Sequence, residues 1–231
     1  MTTTDLTKEA WRKVAQNAWG TKAAPLVTLG PYNAHPLIND TKHLAFTLSR
    51  YKFAAKMLRK SQKILEIGCG EGLGTLTFLS ETKATITALD FDLEQLKYAQ
   101  TLVPFVGGRV QFVHHNIISS PYIIEPADGM VCLDVIEHVH PSEEEVFWRN
   151  SLSCLKPTGL AVIGTPNKYA AQYASAQSNA GHINLFDPDR LTATMEKYFR
   201  HVFIFSMNDE IVHTGYNKLA HYLLVLCVDK I

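Results

Sequence analysis

Within the run Leu133-Asp-Val-Ile-Glu-His-Val139, three side chains able to do chemistry, Asp134, Glu137 and His138, stand at i, i+3 and i+4. In a helical turn that spacing puts them on one face. Two carboxylates, His138 and a second imidazole, His182, form a donor set for a divalent cation, Mg2+ or Mn2+, that would orient an acceptor hydroxyl. Without a cation, His138 or His182 is the candidate general base, because imidazole titrates near neutral pH.

A second constellation precedes it. Ile64, Leu65 and Ile67 read as a buried strand, glycines follow at 68, 70, 72 and 74, and Leu73 to Leu79 reads as the start of a helix. Strand, glycine turn and helix bind an adenosine-containing ligand at the carboxyl end of a parallel sheet. The dinucleotide pattern G-x-G-x-x-G fails here, because its sixth position from Gly68 is Leu73, and no Lys-Ser or Lys-Thr pair follows for a phosphate loop. An acid stands two residues before the first glycine, giving Glu66, Gly68, Gly70 and Gly72. Asp90 closes the next apolar run, 18 residues past Gly72 and near the spacing of about 20 at which a carboxylate meets a ribose. Asp92 is the better cap for the helix that follows, which leaves Asp90 for the sugar hydroxyls.

These residues resemble the first motif of the Rossmann-like (class I) S-adenosylmethionine-dependent methyltransferases. Leu133 to Val139, Leu155-Lys-Pro-Thr-Gly-Leu160 and Gly164-Thr-Pro-Asn167 resemble later segments of the ubiquinone-pathway O-methyltransferases and their small-molecule relatives, a match running from about Leu44 to Phe205. The resemblance implies a cofactor set of Glu66, Gly68, Cys69, Gly70, Gly72, Asp90, Phe91, Asn116, Ile117, Leu133, Asp134 and His138. Asn116 stands where relatives usually carry an Asp that accepts from adenine, and Leu133 and Asp134 would touch the methionine end. The set Asp134, Glu137, His138 and His182 is similar to the E-x-x-E-H…H pattern of small-RNA 2′-O-methyltransferases and metal-assisted ubiquinone-pathway enzymes, with Asp134 replacing the first Glu. Arg50 and Tyr51, on the preceding helix, come within reach of the cofactor's carboxylate end.

The elements that must position these groups follow from hydrophobic period. Strands read at Lys63–Ile67, Thr85–Leu89, Val110–His114, Gly129–Leu133, Leu160–Thr165, His201–Ser206 and Tyr222–Val228. Helices separate the first five, the clearest running from Pro141 to Leu155 with Ser142 as its cap. The expected fold is α/β: a seven-stranded, mostly parallel Rossmann-like sheet with an antiparallel last strand, helices on both faces and the ligand above strands one, two and four. Residues 1–60 read as a helical extension or lid, broken at Gly30 to Pro36, and 61–231 as the cofactor-binding domain.

Lys+Arg and Asp+Glu balance at 22 each in 231 residues, which argues against a strongly electrostatic nucleic-acid or membrane-surface binder. The four cysteines make no C-x-x-C pair and no signal-like segment opens the chain, so a cytoplasmic location is expected. The expected activity is methyl transfer to a hydroxyl of a small molecule or glycan precursor. The alternatives are an RNA-end 2′-O-methyltransferase and a non-catalytic cofactor-binding partner subunit; oligomeric state is not read from the sequence.

Overall fold

A computed structural model describes residues 3–19 and 27–231. Helices α1 (Thr3–Trp19), α2 (Pro31–Asn39) and α3 (Thr41–Met57) precede the sheet. There follow β1 (Lys63–Ile67), α4 (Thr75–Glu81), β2 (Thr85–Asp90), α5 (Leu93–Thr101), β3 (Val110–His114), β4 (Ala127–Leu133), α6 (Glu144–Ser153) and β5 (Leu155–Pro166). The chain ends with α7 (Ala176–Gly181), α8 (Pro188–Glu196), β6 (Phe199–Asn208), β7 (Ile211–His213) and β8 (Tyr222–Lys230).

One sheet takes the order β3-β2-β1-β4-β5-β8-β6-β7. The pairings from β3 to β5 are parallel, and β8 lies antiparallel between β5 and β6. All seven expected strands are present. An eighth, β7, pairs with the edge of β6 inside the stretch Met207 to His221. Strand order reverses between β1 and β4, the switch point at which such sheets open a crevice at their carboxyl ends.

Both faces of the sheet are covered, which is why β1 and β4 read as nearly continuous apolar runs. Leu65, Ile67, Met130, Cys132 and Ile163 face a core with Phe147 and Trp148 of α6 and Leu191 of α8. Their neighbours in sequence, Ile64, Val131, Leu133 and Val162, face the opposite core with Tyr51, Ala54, Ala55 and Leu58 near the end of α3, Phe78 of α4 and Leu96 of α5. The period of two along each strand divides these residues between the faces. The four cysteines are free and buried, and no helix among the described residues is long and apolar enough to cross a membrane.

Four local expectations are corrected. No helix separates β3 from β4, where residues 115–126 run as turns and loop. The break foreseen at Gly30 to Pro36 is helix α2, with Pro31 at a first-turn position where its missing N–H costs nothing. Breaks fall instead at Gly30 and Asp40. The cap foreseen at Ser142 is the His140 imidazole, which accepts from the Ser142 amide, and a 3-10 turn at Pro141–Glu143 precedes α6. The helix expected to run to Leu155 stops at Ser153, and Leu155 opens β5 beside an irregularity in the β4–β5 register.

Candidate active site

The glycine turn opens directly from β1. Gly68, Gly70 and Gly72 have φ of 76°, 54° and 78°. A side chain at Gly68 is doubly refused: beyond the left-handed backbone, its Cβ would sit 2.2 Å from Cγ2 of Val135. The turn is tied to β2 by the Gly68 and Cys69 amides, which donate to the Leu89 carbonyl at 2.8 and 3.0 Å. Burial pushes the Cys69 thiol far up, so it contributes backbone and packing rather than reactivity.

Asp90 ends β2 against the glycine turn. Its Oδ2 accepts from the Gly70 amide at 2.7 Å and its Oδ1 from the Asp92 amide at 2.9 Å. Each oxygen keeps acceptor capacity for a sugar hydroxyl. Burial raises the Asp90 pKa against the opposing pull of those two backbone donors. Asp92 caps α5, accepting from the Glu94 amide at 2.8 Å, as expected. Phe91 next door is 71% exposed. Asn116 turns its Oδ1 to the Ile118 amide at 3.0 Å, so its amide nitrogen is the freer group; Ile117 is buried, with its carbonyl held by Asn150 at 2.8 Å.

A buried polar group lies alongside. Glu66 accepts from Thr75 Oγ1 at 2.7 Å, and desolvation lifts its pKa to about 7 despite Thr75 and Tyr51. From α3, Arg50 Nη1 donates to both oxygens of Asp134 at 2.9 and 3.0 Å, while its guanidinium lies 3.9 Å from the Tyr222 ring centroid. Burial alone would lower the Arg50 pKa, yet the Asp134 charge leaves it raised. Asp134 itself is left-handed, with φ of 57°. Leu133 before it is packed in the core with Tyr51 and Leu224. Arg50 Nε, Glu66 Oε1 and the Tyr222 hydroxyl are buried without a hydrogen-bond partner among the described residues. Such groups are costly to leave bare.

Asp134 is therefore not part of the expected four-residue cage. Only Ile136–His138 forms a 3-10 turn, and the left-handed backbone at 134 sends that carboxylate to Arg50. The other three do converge: ligand-capable atoms of Glu137, His138 and His182 lie within 4.8 Å of one another. His182 is brought back by the segment after β5. There the Lys168 amide bonds the Phe186 carbonyl at 2.8 Å and the Asn184 amide bonds the Glu137 carbonyl at 3.0 Å. His138 Nδ1 is 2.9 Å from the Gly181 carbonyl. A carbonyl can only accept, so Nδ1 carries the hydrogen and neutral His138 keeps its lone pair on Nε2. The two imidazoles meet edge-on at 5.1 Å, and burial followed by His138 lowers the His182 pKa.

Glu137 is 1% exposed, accepts from Thr165 Oγ1 at 3.1 Å and is pushed up to about 8, first by desolvation and then by Asp134. A protonated carboxyl is a poor cation ligand, so a cation held by this trio would have to displace the Glu137 proton.

Thr165, Gly181 and Tyr222 carried no sequence signal of their roles here. Nor did Asn184, whose amide bonds Glu144 at 3.1 Å and whose Oδ1 takes Arg190 at 2.8 Å. After β5, Tyr169 and Tyr173 are 43% and 79% exposed, and between β7 and β8 Tyr216 is 80% exposed.

Against this geometry, a family model described as a methyltransferase domain matches residues 41–198. The chain belongs to that family. It is 27% identical over 160 residues to a mitochondrial ubiquinone biosynthesis O-methyltransferase of Schizosaccharomyces pombe, covering 66% of this chain and 57% of that one. It is 32% identical over 113 residues to the ubiquinone biosynthesis O-methyltransferase of Rickettsia felis, covering 48% and 44%. The methyltransferase chain thus spans about half the length of the curated relatives it matches. The methyltransferase domain of bacterial CtHen1-C superposes with a TM-score of 0.66 at 16% identity, over 79% of this chain and 98% of that one. The DhpI–SAH complex superposes with a TM-score of 0.59 at 18% identity, over 86% and 93%. At those identities the two structures establish the Rossmann-like fold.

Glu66 and Glu137 make the domain's stability pH-dependent. Both bind a proton more tightly folded than unfolded, so the stability they lend is complete below their ordinary value of 4.5 and lost as pH rises through about 7 and about 8. At about 1.4 kcal/mol per pKa unit, Glu66 alone contributes on the order of 3 kcal/mol. The melting temperature is expected to fall between about pH 5 and about pH 8, and a Glu66→Gln/Glu137→Gln variant to flatten that fall. Parallel wild-type and variant profiles by calorimetry would refute the assignment.

Proposed function

We propose that this chain binds S-adenosylmethionine and moves its methyl group to a hydroxyl oxygen of a small molecule or glycan precursor by in-line displacement. The observation carrying the hydroxyl reading is the His138–Gly181 contact, which fixes the tautomer with Nε2 free to take a proton.

The bound cofactor supplies an electrophilic methyl on a sulfonium, so alignment contributes most of the rate. The residues that would hold it are the Gly68–Gly72 turn, through its backbone, and Asp90, whose carboxylate would accept from the ribose hydroxyls. Phe91, Asn116 and Ile117 would border the adenine. Arg50 would serve the carboxylate and Asp134 the ammonium of its amino-acid end, two charges that now pair with each other. His138 Nε2 removes the acceptor's proton, with desolvated His182 held neutral beside it.

The trio Glu137, His138 and His182 supports a second version, in which a divalent cation orients the acceptor oxygen. Turnover of labelled S-adenosylmethionine across phenols, sugars and amines tests the activity. The expected result is transfer to a hydroxylated acceptor that survives EDTA. Activity abolished by EDTA and restored by Mg2+ or Mn2+ would assign the trio to a cation instead. Tight binding of S-adenosylhomocysteine without turnover on any acceptor would leave a cofactor-binding partner subunit.

A further inference from the structure

The acid in the middle of the glycine turn has no place in the chemistry above. Glu71 stands between Gly70 and Gly72 and is only 5% exposed. Its carboxylate is spent on a helix 38 and 39 residues earlier in the chain. Oε1 accepts from the Tyr32 amide at 2.9 Å, while Oε2 accepts from the Asn33 amide at 2.9 Å and from Asn33 Nδ2 at 2.6 Å.

Helix α2 is built to need that acceptor. Its cap residue, Gly30, offers no side chain, and Pro31 has no N–H. The amides left facing out of the first turn are therefore Tyr32 and Asn33, the latter shared with the Gly30 carbonyl at 3.2 Å. A carboxylate at this end also meets the positive pole of the helix. The fit is close: a Cβ on Gly30 would lie 2.2 Å from Glu71 Oε1 and 2.6 Å from the Tyr98 ring. From Glu71 the connection continues through the backbone to the Gly70 amide and on to Asp90.

We infer that Glu71 is a positioning residue that clamps α2 to the cofactor turn, so that cofactor binding and the docking of α2 favour one another. The coupling rests on the cofactor reading above; the clamp does not. Because the turn must hold one shape to admit the ligand, fixing that shape tightens the grip on Tyr32 and Asn33, and by linkage a docked α2 raises cofactor affinity by the same factor.

Amide hydrogen exchange on the whole chain, with and without S-adenosylhomocysteine, tests this in wild type, Glu71→Ala, Glu71→Gln and Glu71→Asp. Without ligand, Glu71→Ala should exchange about tenfold faster at residues 31–39 while 63–67 and 85–90 stay protected. With ligand, residues 31–39 should slow in the wild type and not in Glu71→Ala, whose dissociation constant by calorimetry should be about tenfold higher. Glu71→Gln, which keeps one acceptor, should recover part of both effects. Unchanged ligand-free exchange at 31–39 in Glu71→Ala overturns the clamp. Wild-type uptake of S-adenosylhomocysteine with no change at 31–39 overturns the coupling alone. A wild type that takes up no S-adenosylhomocysteine overturns the cofactor reading and the coupling with it, leaving the clamp to the ligand-free comparison.

Discussion

Arg50→Ala is expected to weaken S-adenosylhomocysteine binding by about 30- to 1,000-fold, a loss of roughly 2–4 kcal/mol. The guanidinium side chain is 13% exposed and that of its partner Asp134 is 32% exposed, so the pair is only partly screened by water. Removing one member of a buried pair costs about 3–5 kcal/mol because the other is left uncompensated, and the partial exposure of Asp134 trims that figure. On the proposed reading the loss falls on the cofactor, whose carboxylate would have no guanidinium to hold it. Arg50→Lys keeps the charge but not the fork and should fall between the two. Calorimetric titration of folded protein decides the matter; an Arg50→Ala variant that binds as tightly as wild type would remove Arg50 from the site.

His138→Ala should lower kcat by about 10²- to 10⁴-fold while leaving S-adenosylhomocysteine affinity within a few-fold. The split matters, because a structural histidine would shift binding or melting temperature along with rate. His138 reaches its position on a single 3-10 turn, fastened through Nδ1 to Gly181 and through the Glu137 carbonyl to Asn184. Its free nitrogen is thus oriented by backbone on a returning loop rather than by a third acid. A His138→Ala enzyme with undiminished single-turnover methyl transfer would transfer the base role elsewhere, and His182→Ala is the next variant to assay.

Much of this molecule is readable without coordinates because its chemistry sits at strand ends. Glu66 and Asp90 lie on β1 and β2, the three glycines follow β1 at a fixed spacing, and the spacing that suggests a ribose acceptor puts Asp90 against the turn itself. Asp134 was misplaced for a definite reason. The spacing i, i+3, i+4 assumes helical dihedrals from the first residue, whereas φ at 134 is positive and helical geometry begins only at Ile136. Helix α2 was hidden because Pro31 and Pro36 read as breakers, and its missing amide acceptors are answered by Glu71, far along the chain. Long-range polar bonds of this kind, like Asn184 with Glu144 and Arg190, leave no local pattern.

The insertion of β8 between β5 and β6 has a consequence for biogenesis. Residues 222–230 supply backbone partners to strands on both sides, so until they leave the ribosome β5 shows a bare edge and β6, paired only with the short β7, has no link to the rest of the sheet. Nascent chains that already carry the glycine turn and both imidazoles would therefore be unable to close the sheet, a window in which a chaperone has an apolar strand to shield.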